Sequence, residues 1–198
     1  MKRTWLVAMA VAAGMGVQAE ECRPGVQLLT VYTLTEGVPS DVLGRAKYMA
    51  GKVLAGADVT VKWAKGERPR DAQQEFCGER LTIAFDAKAA PGYAPQAMAF
   101  TRMNAGSSTE IHIFYDRVSV FPDRARMPEF LGHVLAHEIA HVLEGVSRHS
   151  SDGVMKARWG ERDCAELVRN PLPFAAEEVE LIRSHFVGRT ASTVAGTQ

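Results

Sequence analysis

The chain has 198 residues, of which 46% are hydrophobic and 23% charged, with 23 basic residues balanced by 23 acidic ones. This is the composition of a protein that builds one packed core, and it excludes the low-hydropathy signature of disorder. The balance of charge argues against a nucleic-acid partner, which would call for a strongly basic face.

The first residues stand apart from that core. Lys2 and Arg3 lead into the apolar run WLVAMAVAAGMGV, and VQA then places small residues where a signal peptidase cuts, so residues 1–19 are expected to be a signal peptide cleaved after Ala19. A membrane anchor is the alternative, but the run is short for a bilayer and ends in small and acidic residues. The segment AEEC before Cys22 lacks a lipoprotein box. Loss of Lys2 and Arg3 leaves two more acidic than basic residues, and no long basic amphipathic helix suggests a membrane surface. The expectation is a soluble exported protein, periplasmic or secreted, in a compartment where disulfides persist. Three cysteines, Cys22, Cys77 and Cys164, then suggest one pair and one free thiol.

In chain order, VQLLTVYTL (26–34) is rich in β-branched and apolar residues and predicts a strand. After Pro39, the positions Val42, Leu43, Ala46, Met49, Ala50 and Val53 recur at helical spacing and predict a helix ending near Gly56. DVTVKWA (58–64) predicts a second strand, residues 65–80 an exposed loop, and LTIAFDA from Leu81 a third strand. A turn at 91–95 precedes a weaker strand, QAMAFTRM, and a strong one, TEIHIFYDRV from Thr109. Pro128 suits the first turn of a helix, since its missing amide hydrogen costs little there. Phe130, Leu131, Val134, Leu135, Ile139, Val142 and Leu143 continue that helix to Gly145, a terminator. FAAEEVELIRSHF predicts a final helix, and the tail of residues 188–198 is small and polar, as expected of a flexible end.

This order contains parallel crossovers early and a hairpin-like pair later, so the predicted fold is one mixed α/β (α+β) domain over residues 20–187, a mixed sheet with helices packed on it.

The stretch HEIAHVLEGVSRHSSDGVM, residues 137–155, carries the chemistry. Two residues four apart on a helix share a face and are separated by about 6 Å of rise. The imidazoles of His137 and His141 can therefore converge on one ion, and zinc takes imidazole nitrogens at roughly 2.0–2.1 Å. Glu138 is poorly placed as a ligand but well placed as a general base for a water beside the ion, whose pKa zinc lowers to about 7. A solvated helix face with coincidental histidines would have the same short pattern, but here the motif lies on an amphipathic helix of an exported chain.

Catalytic zinc commonly has three protein ligands and an open position. Gly145 lets the chain turn back, which makes His149 the first candidate for the third ligand. Glu161, 24 residues after His137, is the rival; the acidic residue that usually follows such a ligand four positions on is replaced by Ala165. Glu161 and Asp163 also suit a supporting role behind the ligands. His133, one turn before His137, would overshoot the ion and is expected to pack or to support a ligand. His112 and His185 are expected to be structural.

The stretch resembles the metzincin clan of zinc peptidases, whose pattern is HExxHxxGxxH followed by a methionine-containing turn. His137, Glu138 and His141 match directly. Gly145 stands four residues after the second histidine instead of three, and His149 eight after it instead of six. The mature chain is more closely similar to a group of exported bacterial proteins that carry HEIGHLLLG, then HSxxGIM and a tryptophan; the corresponding segments here are HEIAHVLEG, HSSDGVM and Trp159. The resemblance implies a mainly parallel twisted sheet with an antiparallel edge strand, QAMAFTRM, that pairs with an extended substrate, together with an active-site helix and a C-terminal helix. It implies His149 as a ligand and Met155 as an apolar floor beneath the metal. It also places strands one and three side by side, so that Cys22 and Cys77, each four residues ahead of one of them, would form the disulfide and leave Cys164 free. The function implied is an exported zinc metalloendopeptidase acting on a peptide or protein substrate. The alternative is a metal-binding or partner-binding protein that keeps the scaffold without turnover.

Overall fold

The computed structural model describes residues 26–69, 78–89, 91–104 and 108–195. The expected signal peptide and the Cys22–Cys77 pairing lie outside the described residues, as does half of the predicted loop at 65–80. Among the described residues Cys164 is a free thiol.

The strands are β1 (Gln27–Leu34), β2 (Val59–Lys65), β3 (Glu79–Asp86), β4 (Ala99–Asn104) and β5 (Ser108–Phe114). The helices are α1 (Ser40–Ala55), α2 (Tyr115–Val118), α3 (Met127–Glu144), α4 (Glu161–Leu167) and α5 (Ala176–Ala195). The sheet order is β2-β1-β3-β5-β4. β1 pairs in parallel with β2 and β3, β3 pairs in parallel with β5, and β4 runs antiparallel to β5 at the edge. This is the mixed sheet that the element order predicts, and it is mainly parallel with an antiparallel edge strand and with β1 and β3 as neighbours, as the resemblance implies.

One face of the sheet builds the core. Residues two apart on a strand share a face, and Leu29 and Val31, Leu81 and Ile83, and Ile111 and Ile113 are all buried there. Against them lie the apolar stripes of α1 (Leu43, Ala46, Ala50, Val53) and α3 (Leu131, Leu135, Ile139) in one continuous cluster. The two helices meet closely at Gly132, where an added Cβ would lie 2.6 Å from Cβ of Met49 and 2.8 Å from the Ala46 carbonyl oxygen. Neither contact can relax without moving α1, so Gly132→Ala is expected to destabilise the fold by about 1–3 kcal/mol. Urea denaturation measures this, and an unchanged midpoint would mean that the helices separate freely.

Four elements differ from the sequence expectation. The strand TEIHIFYDRV stops at Phe114, where its parallel partner β3 makes its last pair through Asp86 and the Phe114 N–H donates to the Met98 carbonyl at 2.8 Å. Beyond that point Tyr115–Val118 close a helical turn, with the Ser119 N–H donating to the Tyr115 carbonyl at 2.8 Å and the Ser119 hydroxyl to the Asp116 carbonyl at 3.0 Å. β4 itself starts at Ala99 because a turn holds Ala97 to Ala94 at 2.9 Å. The helix α4 has no sequence counterpart; only Leu167 is buried on its short span, and its start is set by Asp163 accepting the Gly160 N–H at 2.8 Å. Finally, α5 continues to Ala195, past Gly188 where composition suggests a tail, and no proline interrupts it. No helix among the described residues is long and apolar enough to cross a membrane.

Candidate metal centre

The second half of α3 carries His137, Glu138 and His141. The helix ends where the sequence predicts: Gly145 takes a left-handed conformation (φ +68°) and its N–H donates to the His141 carbonyl at 3.1 Å. The chain reverses through residues 146–149 and returns with His149. A tight turn follows, closed by the Ser150 N–H donating to the Met155 carbonyl at 3.0 Å. Gly153 takes φ +73° within it, and a Cβ there would lie 2.2 Å from the Pro173 carbonyl oxygen. Lys156, just after the turn, pairs with Asp163 at 2.6 Å and ties the turn to α4.

The three imidazoles converge. Nε2 of His141 lies 3.1 Å from Nε2 of His137 and 3.3 Å from Nε2 of His149. All three ligand atoms lie within 4.8 Å of one another, and they are the group among the described residues that could hold a metal ion. Of the two residues in excess of the metzincin spacing, one lies in the last turn of α3 before Gly145 and one in the loop after it, and the His149 ring still stacks on His137 at 5.3 Å between centroids.

Backbone acceptors fix how the helical imidazoles face. Nδ1 of His137 lies 2.9 Å from the Val154 carbonyl oxygen and Nδ1 of His141 lies 3.1 Å from that of Val146. A carbonyl only accepts, so Nδ1 carries the hydrogen and Nε2 presents its lone pair to the centre. Burial pushes the His137 pKa down to about 4 and lowers that of His141, which keeps both neutral. Lone pairs facing one another at such distances repel unless a cation stands between them. Four ligands set tetrahedrally at roughly 2.0–2.1 Å around zinc are about 3.3 Å apart, so the donor set fits zinc in both chemistry and spacing.

Glu138 is half-buried beside this group. Burial alone pushes its carboxyl up to about 7, since the charged form loses hydration. Met155 is 1% exposed and belongs to the core beneath the turn. Besides His141, Trp159 also packs perpendicular to the His137 ring, at 5.8 Å and 85°; its sequence signal was its place after the methionine.

The remaining histidines and acids are placed as follows. His133 is fully buried, outside the group of three, and bonds to backbone only. Glu161 is the exposed first residue of α4 and is not among the three converging side chains, and Asp163 is engaged with Gly160 and Lys156. His112 lies 3.2 Å from the Asp86 carboxylate on the sheet, and His185 lies 3.1 Å from Glu79, so both are held in structural contacts.

A buried carboxyl pair lies behind His141. Glu144 is 8% exposed and Glu178 on α5 is 3% exposed. Burial, and next the charge of Glu178, push Glu144 up to about 7 from an ordinary 4.5. The folded protein thus holds this proton to higher pH than the unfolded chain does, and the protein loses stability as pH rises from about 4.5 to about 7. Glu144→Gln is therefore expected to be more stable than the parent at about pH 8 and equal to it near pH 4, by urea denaturation; an advantage that did not vary with pH would contradict the assignment.

No family model matches the chain, and no curated protein matches it. Among solved structures the chain is similar to the crystal structure of archaemetzincin from Methanopyrus kandleri, with 17% sequence identity, a TM-score of 0.50, and coverage of 83% of this chain and 98% of that one. At that identity the likeness concerns the fold, which is zincin-like.

Proposed function

We propose that this protein is an exported zinc-dependent endopeptidase that hydrolyses peptide bonds of an extended peptide or protein substrate. One observation carries the reading: three imidazole Nε2 atoms converge at the spacing of zinc ligands beside a carboxylate on the same helix. The archaemetzincin-like fold agrees with it.

In this reading His137, His141 and His149 hold zinc through Nε2. When bound, zinc supplies Lewis acidity, lowering the pKa of water and polarising a carbonyl. Glu138 takes the proton of the attacking water and returns it to the leaving amine nitrogen. The backbone carbonyls of Val154 and Val146 hold the His137 and His141 rings in the tautomer that leaves Nε2 unprotonated. Strand β4, at the sheet edge and in contact with α3, offers its outer backbone groups to a substrate that adds as a further strand. Met155 contributes through packing.

Incubation of the zinc-loaded protein with a mixed peptide library tests the reading, with new termini identified by mass spectrometry. Cleavage that a chelator suppresses and added zinc restores is expected. Zinc bound without any cleavage would overturn the peptidase reading in favour of a metal-binding protein on this scaffold.

A further inference from the structure

His133 precedes His137 by one helical turn, is fully buried, and uses both ring nitrogens. Its Nδ1 lies 2.8 Å from the Glu129 carbonyl oxygen, which only accepts, so Nδ1 carries the hydrogen. Nε2 is then free to accept the Leu172 N–H, at 3.1 Å. Both bonds require the same neutral tautomer, and burial favours that form.

The bond to Leu172 reaches far in sequence but close in space. Leu172 lies between Pro171 and Pro173, in the segment joining α4 to α5. The Pro173 carbonyl accepts the Val154 N–H at 3.0 Å, and the Val154 carbonyl in turn faces Nδ1 of His137 at 2.9 Å. Gly153 lies so close to the Pro173 carbonyl that a Cβ does not fit, which leaves the turn no slack against this segment. The Trp159 ring packs perpendicular to those of both His133 and His137, at 6.1 and 5.8 Å between centroids.

We infer that His133 is a positioning residue for the metal centre: it anchors the 171–173 segment, whose Pro173 carbonyl holds Val154, whose carbonyl orients His137. The inference rests on the reading that His137, His141 and His149 hold zinc. Partners that orient a zinc-bound histidine are typically worth about 10–100-fold in metal affinity, and His133 acts through two intervening groups, so about 10-fold is expected.

Two variants separate this role from packing. His133→Asn keeps a donor for Glu129 but is too short to reach Leu172, whereas His133→Gln retains an acceptor at the longer reach. Zinc dissociation constants come from chelator competition, and the absorption bands of the cobalt(II)-substituted protein report ligand geometry. The Asn variant is expected to bind zinc about 10-fold more weakly with shifted cobalt bands, and the Gln variant to recover most of the affinity. A lowered melting temperature with parental zinc affinity and cobalt spectrum in the Asn variant would overturn the inference alone. Parental protein that binds no zinc would overturn the metal reading and the inference with it. Nitrogen NMR of the parental protein needs no variant: His133 with its hydrogen on Nδ1 is expected, and a hydrogen on Nε2 would overturn the inference.

Discussion

Glu138→Gln is expected to lower peptide turnover by about 10²–10⁴-fold while the protein keeps its zinc. The substitution preserves size and hydrogen-bonding capacity and removes only the ability to take up a proton. Glu138 is one residue from His137 on α3 and is not among the three converging donors, so the metal-binding group is left as it was. The loss is expected in kcat with little change in KM, because the carboxylate acts on the proton moved in the transition state. Turnover is to be measured on a cleaved library peptide and zinc on the same sample. A Gln variant that cleaves at the parental rate would remove Glu138 from the general-base role.

His141→Ala is expected to weaken zinc binding more than His149→Ala, and by at least about 100-fold. Nε2 of His141 is the atom near both others, at 3.1 Å from His137 and 3.3 Å from His149. Its removal leaves two imidazoles from different elements, one on a rigid helix and one on an exposed loop. His149→Ala is expected to weaken zinc binding less, because the two helical imidazoles keep their backbone acceptors at Val146 and Val154. Chelator competition on the folded variants measures both. An order in which His149→Ala is the more damaging would mean that the loop, and not the helix, dominates the site.

The legible parts of this protein were those set by local periodicity. The spacing of Phe130 through Leu143 placed α3 and put His137 and His141 on one face, and Gly145 marked its end because a left-handed residue there strongly favours glycine. His149 was legible only beside its rival Glu161. The path of residues 146–155 depends on contacts with no local signature, above all the fit of Gly153 against Pro173 and the bond from Ser150 to Met155. The backbone carbonyls of Val146 and Val154, which orient two of the imidazoles, leave no mark in residue types at all. Local pattern misled at Tyr115–Val118, where β-favouring Tyr and Val followed a genuine strand but had no partner to pair with. It was silent on α4, which buries a single residue. The order of the strands came from the resemblance to metzincins and not from the residues alone, since pairing in a parallel sheet is a long-range choice.

Metal analysis of the purified protein, by plasma mass spectrometry after equilibration with zinc and removal of the free ion, tests the central claim most directly. One zinc per folded chain is predicted, falling well below one in His141→Ala; a folded parental chain that retains none would contradict it.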